Sequence, residues 1–397
     1  MKLRAHQRVA ALLLGVVGSL PGCSGNGSGT PPPGSDAAND VRMDGATDGD
    51  WSDVDGGNPP ATIPLVYTAE VDGTITVFRG TAANALQDLG ELDRPGGIRF
   101  MTFNPSGTHL YAVNDSKVEG FSLPTDIPVY LGAATIAGQG THLEVDHTGQ
   151  WIIAVSFQGD VIQVLPIQGS GVPATPTQTF GGTASPNFCK RPHQVRIHPS
   201  NRWVYVPCRD SDYVVRFELN EDTGVLTSLG SVATPADTGP RHMDFHPSLN
   251  VAYVLGETSS HVIVYTLNPN TGALSQLQDV STLPVGVSTG SQASDVHVTA
   301  DGQFVYAVNR DTRHEIVRLQ VASDGKLTRL GALGSQGTGA RTFVLSPHMD
   351  WLVVGNTTSP NMATFSIDDT TGTLAHVTTY QPFASNVFYV GIRPQGN

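Results

Sequence analysis

Apolar residues fall in short runs, paired around polar turns, and the arrangement recurs down the chain. Phe103-Asn104-Pro105-Ser106-Gly107 leads into Leu110-Tyr111-Ala112-Val113-Asn114, and Ile197-His198-Pro199-Ser200-Asn201 into Val204-Tyr205-Val206-Pro207. Phe245-His246-Pro247-Ser248 precedes Val251-Ala252-Tyr253-Val254, Val298-Thr299-Ala300-Asp301-Gly302 precedes Val305-Tyr306-Ala307-Val308-Asn309, and Leu345-Ser346-Pro347-His348 precedes Trp351-Leu352-Val353-Val354. A strand, a Pro/Gly/Ser/Asp turn and a second strand make a hairpin signal. The first strands begin near Ile98, Thr141, His193, Arg241, Ala293, Arg341 and Asn386, at intervals of 43 to 52 residues. An all-strand repeat of roughly 40–50 residues predicts a β-propeller.

The fourth repeat shows a whole unit: strand A over 193–197, B over 204–208, C over 213–218, and D after Gly224-Val225-Leu226. The C–D turns share a signature, Asp222-Thr223-Gly224, Asn270-Thr271-Gly272, Asp324-Gly325 and Thr371-Gly372, each with a Leu two residues after the Gly. Gly at these places fits a turn needing positive φ. Leu65–Thr68 and Ile75–Phe78 read as strands B and C of a unit that lacks strand A, and 386–392 reads as a strand A alone. Joined, the two ends close a seven-bladed all-β propeller of four-stranded blades, which leaves no exposed sheet edge between terminal blades. The expected organisation is 1–22 signal peptide, 23–63 linker and 64–397 propeller, the last behaving as one domain because blades depend on their neighbours.

Composition refines this picture. Only 14% of the 397 residues are charged, and Gly 44 with Pro 27 suits a turn-rich β protein. Lys2, Arg4 and Arg8 precede an apolar run from Val9 to Leu20, too short to span a bilayer and typical of a signal peptide. Leu20-Pro21-Gly22-Cys23 resembles a bacterial lipobox, which makes Cys23 the expected lipidated residue and places the protein in the cell envelope, extracytoplasmic and membrane-attached through its lipid alone. The linker holds seven Asp and almost nothing to bury, so it is expected to stay disordered. The net charge of −13, with no basic stripe, argues against nucleic acid as a partner. A monomer is expected. Cys189 and Cys208 fall at the same end of one hairpin, and an oxidising compartment favours their pairing as a disulfide.

Topology sorts the polar residues. In an antiparallel A–B pair, residues before A and after B emerge at one mouth of the propeller, and A–B turns at the other. His198, His246 and His348 lie in A–B turns beside Pro and read as turn residues. The opposite mouth collects His193, Arg241, His242 and Arg341 ahead of strands A, with Asn114, Arg209, Glu257, Asn309 and Arg310 behind strands B. Arginine binds carboxylate or phosphate through paired hydrogen bonds, and histidine moves protons near neutral pH. No HExxH, paired CxxC, P-loop or GxSxG pattern occurs, and the Gly334–Gly339 run is not set between a strand and a helix.

Arg191-Pro192-His193-Gln194-Val195, Gly239-Pro240-Arg241-His242, Glu257-Thr258-Ser259-Ser260, Asn309-Arg310 and Gly339-Ala340-Arg341-Thr342-Phe343 carry a resemblance. From about Leu65 to Pro394 the chain resembles the seven-bladed lactonases, the 6-phosphogluconolactonases and carboxy-muconate lactonizing enzymes. The resemblance implies a site of His193, Arg241 and Glu257, with Arg310 or Arg341 as a fourth residue, and no metal or other cofactor. Arg341, His242 and Asn309 are the expected substrate-binding residues, and the expected ligand is a small anionic lactone or sugar acid. Thr342 stands where a His often follows the last Arg, and Cys208-Arg209 replaces a usual Asp-Leu. Two functions remain open: a metal-independent lactonase, or a non-catalytic propeller binding a glycan, small acid or protein.

Overall fold

The computed structural model describes residues 64–81, 85–185, 188–287, 291–381 and 383–394; the expected signal peptide over 1–22, Cys23 and the expected linker over 23–63 lie outside them. Seven four-stranded antiparallel sheets follow one another around a ring. Blades 2 to 7 each take four consecutive strands, and blade 1 takes its inner strand from the C-terminal end. Val387–Ile392 pairs with Leu65–Glu70, so the two ends of the propeller share one sheet, as the unmatched strands required. Among the described residues, helix is confined to two short 3-10 turns.

Apolar residues alternate along the strands, so the core lies in the seams between blades. One cluster joins Ile153 and Val164 of blade 3 to Val204, Val206 and Phe217 of blade 4. Another joins Tyr253 and Val264 of blade 5 to Val296 and Val317 of blade 6.

The repeated Tyr of strand B has a specific task at these seams. Tyr205, Tyr253 and Tyr306 are fully buried, and their hydroxyls donate to the carbonyls of Gly272, Gly325 and Gly372 in the next blade, at 2.8, 3.0 and 2.6 Å. These carbonyls belong to the C–D turns, where the glycines have φ of 63–83°. A Cβ on Gly272 would stand 2.7 Å from the Trp203 ring, so the turn needs Gly for its conformation and for the close approach of the neighbouring blade.

In blade 4 the fold departs from the simple repeat. Strand A was expected over 193–197, but regular pairing covers only Arg196–Ile197. Pro192 makes an isolated bridge to Cys208, and His193 N–H donates to Pro207 O at 3.0 Å. Four steps along this strand match three along its partner, so the ladder opens between them. Cys189 and Cys208 are disulfide-bonded here, with Cα atoms 5.2 Å apart, and the bond pins the segment leading to His193 against strand B.

Candidate active site

Each inner strand carries an irregularity at the same height. In six blades the A–B register slips by one residue near the start of strand A. The residues left without a partner are Phe388, Arg99, Thr141, Arg241, Ser294 and Arg341, in blades 1, 2, 3, 5, 6 and 7 respectively. In blade 4 the widened stretch holds His193. A bulge re-aims its side chain and increases local twist, and here it does so around one mouth of the ring.

Blades 4 to 6 build an ionic cluster there. Glu257, just after strand B of blade 5, receives three guanidiniums. Arg241 Nε lies 3.3 Å from Oε2, Arg209 Nε lies 3.1 Å from Oε2, and Arg310 Nη2 donates to Oε1. Arg310 Nη2 also reaches Gln292 Oε1 at 2.9 Å. Arg241 is only 1% exposed, and its Nη1 donates to the Ser294 carbonyl. Burial and the charge of Arg310 pull the Arg241 guanidinium down to about 10. Burial would raise the Glu257 carboxyl, but Arg241, Arg310 and Arg209 outweigh it and hold the group below its ordinary value. Glu257 is therefore a fixed negative charge at neutral pH.

Beside this cluster stand three buried imidazoles. The His193 and His242 rings are 5.2 Å apart, and those of His142 and His242 are 5.8 Å apart. Burial, then the positive charge of Arg241, keeps His193 neutral, well below its usual value. Its Nδ1 is buried without a hydrogen-bond partner. His242 Nδ1 lies 2.7 Å from Asp295 Oδ1. Burial would raise Asp295, but His297 and His242 hold it far below its ordinary value, so it is ionised and must accept. Nδ1 of His242 then carries the proton and Nε2 the lone pair. Burial and Arg241 together lower His242 to about 4 despite this carboxylate.

Deeper along the inner strands, charged residues link four blades. Arg196 lies 2.8 Å from Glu144 and 2.5 Å from Asp244. His297 stands 3.6 Å from Asp244 and 3.5 Å from Asp295. Burial opposes its charge, yet Asp295 and Asp244 raise it to about 10 and keep it protonated. Alternating signs satisfy each buried charge, and the run ends at Asp295, which orients His242.

The site residues read from sequence thus separate into groups. His193, Arg241, Glu257 and Arg310 gather at one mouth, and Arg310 rather than Arg341 contacts Glu257. Arg341 lies within electrostatic reach of Arg241 and Arg310, and its guanidinium stacks 4.4 Å over Phe388. His242 adjoins His193. Asn309 is fully buried and engaged at both ends, accepting from Thr282 Oγ1 at 2.9 Å and donating to Glu315 Oε1 at 3.0 Å. That holds strand B of blade 6 to its surroundings. His246 serves its turn, its Nδ1 accepting from the Ser248 and Leu249 amides. Sequence reasoning passed over Asp295, His142 and Arg99. A signal existed for Arg99: Gly97-Ile98-Arg99 has the Gly-x-Arg form of Gly239-Pro240-Arg241 and Gly339-Ala340-Arg341.

Comparison with known proteins bears on this geometry. The family model for the lactonase seven-bladed β-propeller matches residues 66–390. The 6-phosphogluconolactonase of Pectobacterium carotovorum subsp. carotovorum is 30% identical over 322 residues, covering 80% of this chain and 95% of that protein. That of Yersinia pestis is 28% identical over 338 residues, covering 84% and 98%. The periplasmic gluconolactonase of Pseudomonas aeruginosa superposes with a TM-score of 0.76 at 21% identity, over 84% of this chain and 99% of that one.

Proposed function

The chain belongs to the seven-bladed β-propeller lactonase family, and from that premise we propose that it hydrolyses a lactone of a sugar acid or similar anionic compound at the mouth built by blades 4 to 6. One observation carries this reading: a neutral His193 with an unpartnered Nδ1 stands in the field of Arg241, whose own partner is the ionised Glu257.

The chemistry needs no nucleophilic side chain. The His193 imidazole takes a proton from water as the water oxygen bonds to the lactone carbonyl carbon. Arg241 and Arg310 steady the negative charge on the carbonyl oxygen, the role of preorganised donors in acyl transfer. The ring C–O bond then breaks, and the leaving alkoxide takes the proton from His193. Glu257 holds the two guanidiniums in place. Their positive charge is what lowers His193 after burial, so the imidazole starts as a base.

The test is turnover of a panel of aldono- and muconolactones by the purified protein in the presence of EDTA. Hydrolysis of at least one anionic lactone is expected. No turnover across the panel, with the product acids still bound, would replace the lactonase by a binding propeller. That second reading draws on Arg209, which adds a third cation to Glu257.

The envelope location rests on Lys2, Arg4, Arg8, the apolar run and Cys23, and the periplasmic name of one structural neighbour agrees with it. The mature N-terminus should be a lipid-modified Cys23 by mass spectrometry, and Cys23→Ala should abolish the modification. An unmodified N-terminus at another residue would remove the anchor.

A further inference from the structure

The three imidazoles beside the ionic cluster differ in how their nitrogens are held. Nδ1 of His142 and Nδ1 of His193 are sealed from solvent and hydrogen-bonded to nothing. Nδ1 of His242 instead donates to Asp295 Oδ1 at 2.7 Å. Nε2 of His242 has no hydrogen-bond partner among the described residues and is not one of the sealed nitrogens, so water can reach it. His242 comes directly after the bulged Arg241 and is the first residue to pair again, with Leu255. Its ring crosses that of His193 at 63°, with centroids 5.2 Å apart.

The Asp295 carboxylate is itself held on both oxygens. Oδ1 also accepts from Val296 N–H at 3.0 Å. Oδ2 accepts from Phe343 N–H of blade 7 at 3.2 Å and lies 3.5 Å from His297 Nε2. Burial opposes the charge of His297, but Asp295 and Asp244 keep it protonated. With donors on each oxygen, the carboxylate offers His242 only an acceptor, and Nε2 of His242 keeps its lone pair. A water attacking a carbonyl carbon gives one hydrogen to a base. Its second hydrogen needs an acceptor if the oxygen lone pair is to face that carbon. We infer that the locked Nε2 of His242 accepts the second O–H of the attacking water while the His193 imidazole takes the first, a role that rests on the lactonase reading. His242 is then a catalytic residue and Asp295 its positioning residue. No proton passes to His242. The second hydrogen stays on the oxygen, becomes the hydroxyl of the new carboxyl group, and is lost to solvent when that acid ionises.

Two variants of His242 separate an acceptor from a proton carrier. His242→Gln can turn its amide N–H to Asp295 and its carbonyl to the water, so it keeps the acceptor but cannot carry a proton. His242→Phe keeps a ring and loses both functions. On whichever lactone turns over, His242→Phe should lower kcat by about 10²-fold or more with KM little changed, the usual cost of misplacing a reacting group by about 1 Å. His242→Gln should recover about 10-fold or more of that loss. Equal losses in the two variants would overturn the assignment and make His242 a proton carrier. A loss expressed in KM rather than kcat, or no loss, would overturn it as well.

Asp295→Asn tests the lock. Phe343 N–H and the protonated His297 hold the amide oxygen on their side, which turns the NH2 toward His242 Nδ1 and forces the tautomer with Nε2–H. That nitrogen cannot accept from water, so kcat should fall as far as in His242→Phe. Nitrogen NMR of protein labelled in its histidines reads the tautomer without any substrate. At neutral pH the imidazole whose signal is missing from His242→Gln should carry its proton on Nδ1, and in Asp295→Asn that proton should move to Nε2. A His242 protonated at Nε2 in the unaltered protein would overturn the proposal whatever lactone turns over. The lock found intact, with no lactone hydrolysed, would remove the lactonase reading and the water's role with it. Should Asp295→Asn fail to fold, the two His242 variants and the spectrum of the unaltered protein decide the matter.

Discussion

Removal of residues 384–397 should unfold the ring rather than trim it. The deleted segment supplies the inner strand of blade 1, with Val387, Tyr389 and Val390 all buried. Val387 and Val390 pack with Val353 and Met362 of blade 7, and Tyr389 with Met101 of blade 2, so one strand seals two seams. Burying side chains of this size stabilises by roughly 1.5–3 kcal/mol each. The sum is comparable to the whole stability of a typical domain, about 5–15 kcal/mol. Loss of the strand would also bare the ladder edge of Leu65–Glu70. The truncated protein should therefore be insoluble, or melt more than about 10 °C lower. An unchanged melting temperature would contradict the closure.

The seam carries a pH dependence as well. Glu70 is buried beside the joint, where its carboxylate accepts from Ser385 N–H at 3.0 Å and Thr76 Oγ1 at 3.2 Å. Burial pushes its carboxyl up from 4.5 to about 7. A folded-state value above the unfolded one means the proton stabilises the fold. That contribution is complete below pH 4.5 and is lost as pH rises through about 7. Glu70→Gln can keep both hydrogen bonds without the charge. It should stabilise the closed ring at pH 8 by about 1–3 kcal/mol and change little at pH 4.

Much of this architecture was legible because its determinants are local. Phe245-His246-Pro247-Ser248 is a turn between two apolar runs in sequence and in space. Gly272 and Gly372 mark their turns because few other residues take that φ. The mouth at which Arg241, Glu257 and Arg310 meet follows from antiparallel pairing alone. The bulges were not legible. A one-residue slip depends on which residues of two strands hydrogen-bond, and Ile98-Arg99-Phe100 reads equally well as an unbroken strand. That is why Arg99 was passed over although Arg241 was found in the equivalent place. Asp244, Asp295 and His297 are polar residues inside otherwise apolar strands. Their pattern was visible, but their pairing across blades 4 to 6 needed the ring to be closed. The broken strand A of blade 4 was missed because Pro192 and the Cys189–Cys208 disulfide replace ladder hydrogen bonds with a tether.

His193→Ala should reduce kcat by about 10²–10⁴-fold on whichever lactone the protein hydrolyses, the usual contribution of a positioned acid–base group. KM should change little, because the ring bears no charge to bind an anion. Arg241→Ala should act differently. Arg241 is charged, buried and aimed at the same mouth, so its loss should lower kcat/KM by about 10–150-fold, the equivalent of a charge-assisted hydrogen bond of roughly 1.5–3 kcal/mol. Glu257 would then keep only Arg209 and Arg310. His198→Ala provides the control. It sits in the A–B turn at the far mouth, with Nδ1 2.8 Å from Ser200 Oγ, and should alter neither parameter. The pH profile adds an independent check. A base already neutral well below 6.5 gives no inflection near that pH, so the rate should stay level through it and fall only in more acidic solution. An inflection at 6.5 that persists in His193→Ala would assign the proton transfer to another group. Activity surviving the loss of both His193 and Arg241 would remove the site from blades 4 and 5 altogether.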